Sequence, residues 1–241
     1  MAHRKVVGIH AVKEALKVRA SDVVQVHLKQ GWESHPGLKE IGDICKSKKV
    51  RLTEVGDKSL SKIASSHQGV AAEVGSAPEL DWSELKSAHG ANLIVLDGIE
   101  DPHNLGAIMR TAWLMGAQGI LTPDHKSVGL SPIVAKVASG GAEHVPLVPV
   151  GNLSRNISDL KELGFWAYGL SHKARQSLWA TEFPEKVIWV IGAGGKGMRR
   201  LVEQSCDVLV SIPQCSPVAS YNASVAAAIA LAETCRQQSR G

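Results

Sequence analysis

Three polar or glycine-rich turns hold the residues of this chain best suited to chemistry, and each lies between a strand-like apolar run and a helix-like run. The first, after residues 93–96, carries Asp97, Glu100, Asp101, His103 and Asn104, with Arg110 further along the same segment. The second runs from Gly192 through Gly194, Lys196 and Gly197 to Met198. The third follows residues 207–212 and brings Ser220, Tyr221, Asn222 and Ser224 to the start of a run of small apolar residues. An α/β sheet gathers its ligand at the carboxyl ends of its strands, so three such turns on three strands point to a single polar binding site.

Each turn has a plainer explanation. Asn104 reads as the N-cap of the helix that follows, whose buried stripe would be Leu105, Ile108, Met109, Ala112 and Met115. Arg110 is about 600° further around that helix, so periodicity alone does not put it on the face of Asn104. A surface charge explains Arg110 as well as a catalytic one. The acidic residues of the first turn lack paired metal-ligand spacing, and helix entry accounts for them, so no metal is expected. Gly192, Gly194 and Gly197 match G-x-G-x-x-G, but no acid ends the next strand, where a dinucleotide ribose would need one. A phosphate-binding Walker loop fails because Gly197, not Ser or Thr, follows Lys196. What remains is a turn that lets a ligand approach the backbone closely. In the third turn, capping by Asn222 accounts for one polar residue and leaves Ser220 and Ser224 for a neutral polar ligand.

The elements that must position these turns alternate. Strands are expected at 92–96, 119–121, 145–148, 165–170, 187–191 and 208–212, and helices at 105–115, 132–139, 153–163, 198–204 and 223–237. Continuous apolar strands between helices predict a parallel sheet covered on both faces. The last helix is rich in alanine, which suits close approach of a second subunit. Ahead of this unit, residues 6–17 read as a short amphipathic helix after Gly8, 23–28, 50–55 and 70–74 as strands, and 37–46 and 58–65 as helices. The expected organisation is a small α/β domain at 1–76, a linker at 77–90 that includes a helix at 83–89, and a larger domain at 91–241.

Charge follows that division. Residues 1–76 hold 13 Lys/Arg against 8 Asp/Glu, whereas the whole 241-residue chain is only +4. A basic small domain suggests a polyanionic partner, RNA before any other. Four scattered cysteines without a C-x-x-C pair suggest reduced thiols. No apolar run approaches the roughly 18 residues a membrane span needs, and the basic N-terminus lacks the apolar stretch of an export signal, so a cytoplasmic protein is expected.

Taken together, the three turns resemble the motifs of the SPOUT class of methyltransferases, within it the SpoU/TrmH-like RNA ribose 2′-O-methyltransferases. Residues 101–112, 192–201 with 211–213, and 220–226 are similar to that family's three motifs in order and spacing. Residues 134–149 and the N-terminal domain, opening at 8–16 and closing at 67–70, are similar to the members that modify a guanosine of 23S ribosomal RNA. The resemblance implies a C-terminal trefoil knot, S-adenosylmethionine as cofactor, and an obligate homodimer with each active site at the interface. It implies Asn104 and Arg110 as the catalytic pair with Asn222 beside them. Gly192, Ile212 and Tyr221 would line the cofactor pocket, and Ser220 and Ser224 would shape it. Arg110 would then act as base or, more conservatively, grip phosphate and stabilise the developing alkoxide. The implied substrate is RNA, 23S ribosomal or transfer RNA, and neither DNA nor a membrane. Two positions depart from the pattern. Gly194 stands where the family carries Glu, and Tyr221 where it carries an aliphatic residue. The first opens the alternative of a catalytically impaired RNA-binding protein. The glycine run taken by itself would suggest a dehydrogenase.

Overall fold

The computed structural model describes residues 3–194, 197–216 and 219–239; Lys196 of the second turn lies outside them. Two sheets organise the chain.

The first sheet contains β1 (Arg4–Val7), β2 (Val23–Lys29), β3 (Leu52–Val55) and β4 (Val70–Val74) in the order β1-β4-β2-β3. β4 runs antiparallel to both of its neighbours, and β2 pairs with β3 in parallel. Helices α1 (Ile9–Val18) and α2 (Pro36–Lys48) bury Val12, Leu16, Leu38 and Ile41 against Val6, Val26 and Leu28. The helix expected after Gly8 is α1, and the apolar residues ahead of it, Val6 and Val7, belong to the unexpected strand β1. Gly8, at φ 95°, adopts a conformation no right-handed helix allows, and it splits the apolar run in two. A short α3 (Asp57–Ser61) follows β3, and α4 (Trp82–Ser87) lies between the sheets. Asp81 caps α4 by accepting from the main-chain N–H of Ser83 (2.9 Å) and Glu84 (3.1 Å).

The second sheet contains β5 (Ala91–Asp97), β6 (Gly119–Pro123), β7 (Leu147–Val150), β8 (Trp166–Leu170), β9 (Gln176–Ser177), β10 (Lys186–Gly192) and β11 (Val208–Ser211). Their order is β7-β6-β5-β10-β8-β11-β9, and every pairing is parallel, as expected. The helices are α5 (Pro102–Leu114), α6 (Pro132–Ala138), α7 (Gly141–His144), α8 (Leu153–Glu162), α9 (Arg200–Ser205) and α10 (Ala223–Gln238). Alternate residues of β5 and β10 serve opposite faces. Ile94, Leu96, Trp189 and Ile191 pack with Ile108, Met109, Ala227 and Leu231 of α5 and α10. Leu93, Val95, Ile188 and Val190 pack with Leu153, Ile157, Leu160 and Val202 of α8 and α9. The small residues of α10 thus serve its own core first. Thr234 also accepts a bond from the buried Trp189 indole (2.9 Å). The strand expected at 145–148 begins later, at Leu147, because the short α7 ends beside Val145.

Side chains join the two sheets. Ala135 of α6 belongs to the apolar cluster of the first sheet. Arg4 pairs through both terminal nitrogens with the carboxylate of Glu143, which is buried. Glu14 lies 3.1 Å from the His144 ring, which stacks on Trp113 at 4.3 Å.

Candidate active site

The site forms where strand order reverses. The chain leaves β5 for β6 on one side, while β10 pairs with β5 on the other, and Gly192 and Asp97 are register partners at the adjoining ends. A crevice at such a switch point is where open α/β sheets bind ligands.

The first loop begins at Asp97, a buried carboxylate. Asp101, not Asn104, is the N-cap of α5: it accepts from the main-chain N–H of His103 at 2.9 Å, and Pro102 takes the first helical position. That main-chain bond, with the His103 ring 3.2 Å away, holds the Asp101 carboxyl below the ordinary carboxylate range. Asn104 sits within the first turn of α5, half-buried, its amide not consumed by capping. Glycines pin α5 in place. A Cβ at Gly106 would come within 2.6 Å of Val137, and one at Gly141 within 2.6 Å of the Met109 carbonyl.

The second loop folds back on β10. A Cβ at Gly192 would lie 2.3 Å from the Gly197 carbonyl carbon and 2.5 Å from the Met198 nitrogen, so glycine is required there. Gly194 and Gly197 have φ of 58° and 67°, and the Gly197 N–H closes a turn on the Gly194 carbonyl (2.9 Å). Asp97 fastens the loop's end. It accepts from the Arg199 main-chain N–H (2.6 Å) and from the Arg199 Nε (2.7 Å).

The third loop ends in a cap. Asn222 Oδ1 accepts from the Ser224 N–H (2.8 Å) and hydroxyl (2.7 Å), which leaves the Asn222 amide nitrogen with bonding capacity to spare. Tyr221 donates to the Pro213 carbonyl at 3.4 Å.

Two adjoining cavities result. A narrow cleft of about 270 Å³ is lined by Gly192, Ile212, Ser220 and Tyr221, with Leu170, Ile191 and Glu203. A wider cavity of about 820 Å³ is lined by Asp97, Asn104, Asn222, Arg199, His125 and Lys126. Gly194, Gly197, Met198, Ser220, Tyr221 and Ala223 border both. Of the residues singled out from sequence, Gly192, Ile212, Ser220 and Tyr221 share the cleft, and Asn104 and Asn222 share the cavity. Arg110 lines neither; it is exposed on α5. Ser224 also lines neither and bonds to Asn222 instead. Among the described residues no group of three or more His, Cys, Asp or Glu could hold a metal ion, and no helix is long and apolar enough to cross a membrane.

Sequence reasoning missed Arg199, His125 and Lys126. The last two sit on the loop after β6, which carries no motif. Lys126 has a φ of 56°, a conformation no local pattern announces.

The family model of the SpoU rRNA methylases matches residues 91–232, and that of the RNA 2′-O ribose methyltransferase substrate-binding domain matches residues 5–80. The chain belongs to the SpoU rRNA methylase family. It is 37% identical to the 23S rRNA (guanosine-2′-O-)-methyltransferase RlmB of Pseudomonas putida, with 97% of this chain and 96% of that protein aligned. To the protein of the same name from Shewanella oneidensis it is 40% identical, with 96% of each aligned. The SpoU methyltransferase AviRb of Streptomyces viridochromogenes, solved with the cofactor AdoMet, shares the fold at a TM-score of 0.85 and 20% identity, over 100% of this chain and 92% of that one. Membership in this family overturns the dehydrogenase reading of Gly192, Gly194 and Gly197.

Proposed function

We propose that this protein methylates RNA on a ribose 2′-hydroxyl, taking the methyl group from S-adenosylmethionine, and that the target is a guanosine of 23S ribosomal RNA. The observation that carries this reading is the pair of adjoining cavities, which share a wall built by the second and third loops. The narrow cleft fits the cofactor. Leu170, Ile191 and Ile212 offer apolar contact to an adenine, Glu203 offers a carboxylate, and the absence of a side chain at Gly192 keeps the loop close. Bound there, S-adenosylmethionine supplies an electrophilic methyl group on a sulfonium.

The chain's own residues must hold the ribose hydroxyl in line with that methyl group and stabilise its oxygen as the proton passes to water. Asn104 offers a free amide to the hydroxyl at the mouth of α5. The amide nitrogen of Asn222, fixed by the cap of α10, offers a second contact. Holding both reactants in one geometry removes several kcal/mol of the barrier. Arginine stays protonated at any working pH, so Arg110 stabilises the charge developing on the ribose oxygen rather than serving as the base. Arg110 lines neither cavity of its own chain, which supports a homodimer in which it completes the partner's site. We further read residues 1–76 as the RNA-reading domain, 77–90 as the linker, and 91–241 as a catalytic domain with a knotted C-terminal segment, acting in the cytoplasm.

The test is methyl transfer from tritiated S-adenosylmethionine to 23S rRNA lacking the modification. Arg110→Ala should abolish transfer and leave cofactor affinity within a few fold, because it removes transition-state stabilisation only. Undiminished transfer by that variant removes Arg110 from the mechanism.

A further inference from the structure

We infer that Arg199 is the phosphate clamp of the wide cavity, held in register by Asp97. This rests on the reading of that cavity as the RNA side of the site. The side chain of Asp97 is 1% exposed and that of Arg199 is 64% exposed. The carboxylate at the end of β5 takes two bonds from Arg199, at the main-chain N–H (2.6 Å) and at Nε (2.7 Å). Both bonds come from the inner part of the residue. The two terminal nitrogens of the guanidinium have no partner among the described residues, and the residue borders the wide cavity and not the narrow cleft. A long flexible side chain is thereby fixed at its third rotatable bond and presents a planar pair of donors to the RNA side. That arrangement suits bidentate capture of a phosphodiester and reduces the ordering cost of capture.

The cavity is not a general anion trap. Glu100 and Asp101 border it as well, so Lys126 and Arg199 do not make its lining net positive. An RNA phosphate is caught there by the geometry of the fork, not by a broad field. The clamp would seize a phosphate of the RNA backbone flanking the methylated nucleotide and hold its ribose beside Asn104. Arg199 is a positioning residue for that ribose, and Asp97 is one for Arg199.

Glutamine tests this cleanly. The Gln Nε2 occupies the same place along the side chain as the Arg Nε, so Arg199→Gln keeps a donor for Asp97 and deletes the fork. Arg199→Lys keeps the charge and loses the fork. The measurements are RNA affinity across a salt series, S-adenosylmethionine affinity by calorimetry, and KM and kcat for unmodified 23S rRNA, with thermal unfolding as a check on folding. In Arg199→Gln the KM for RNA should rise about tenfold, since a charge-assisted bond is lost. The slope of log affinity against log salt should become shallower by about 0.7, one phosphate contact on a single strand. S-adenosylmethionine affinity should hold. Arg199→Lys should keep the wild-type salt slope while its KM rises. An unchanged KM and salt slope in Arg199→Gln would overturn the clamp. So would a parallel loss of S-adenosylmethionine affinity, which would make the Asp97 pair a fastening of the cofactor loop. Wild-type protein that fails to methylate RNA at all would sink the parent reading, an outcome visible before any variant is made.

Discussion

Gly194 stands where the motif resemblance implies a glutamate, and the structure shows what that position tolerates. A Cβ there would meet nothing within 4 Å, and the residue borders both cavities. The obstacle to a side chain is the backbone, at φ 58°. Gly194→Glu should therefore fold, with a loss of about 1–2 kcal/mol from the left-handed conformation. Thermal unfolding measures that cost. The same variant puts the carboxylate that the resemblance implies at the cavity edge and should raise kcat for RNA methylation; a kcat at or below wild type would show that the site has no use for it. At this scale the sequence was partly legible. Asn222 caps α10 as its type and place predict. Asn104 does not cap α5, because Asp101 followed by Pro102 forms a better helix start one turn earlier. The partnership of Asp97 with Arg199 spans 102 positions, and no local pattern encodes it.

Elements were easier to read than residues. The strands of the second sheet are continuous apolar runs, and a parallel sheet buried on both faces demands that composition. What escaped was short or fused. The four residues of α7 and the two of β9 fall below any periodicity, and β1 merges with α1 except for one glycine. The glycine loop after β10 can be tested as an element. Gly192→Ala would force a methyl group to within 2.5 Å of the backbone of Gly197 and Met198. Arg199, two residues past Gly197, is tied to Asp97, so the loop has little freedom to retreat. The variant should lose about 1–3 kcal/mol of stability by overpacking. Its affinity for S-adenosylmethionine should fall at least tenfold, read by calorimetry. Wild-type affinity would mean that the cleft does not depend on this close approach.

For the molecule as a whole, the seam between the two sheets was invisible in the sequence, since its partners come from distant segments. Glu14 is one of them. Burial raises its carboxyl pKa, but hydrogen bonds from Lys17 and His144 outweigh burial and hold it below the ordinary value of 4.5. A carboxyl depressed in the folded state contributes stability above its unfolded value and loses it as pH falls through the folded one. The melting temperature of wild type should therefore exceed that of Glu14→Gln near neutrality, and the two should converge below pH 4.5. A gap that persists at low pH would place the contribution of Glu14 in packing. The bonded seam, with Glu143 gripped by Arg4 and Ala135 set into the opposite core, also sets a distance. Under the proposed function, a reading head bolted to the chemistry would work as a caliper. Among transcripts with the same local letters, it would accept only the fold whose landmark stands one fixed span from the sugar to be marked.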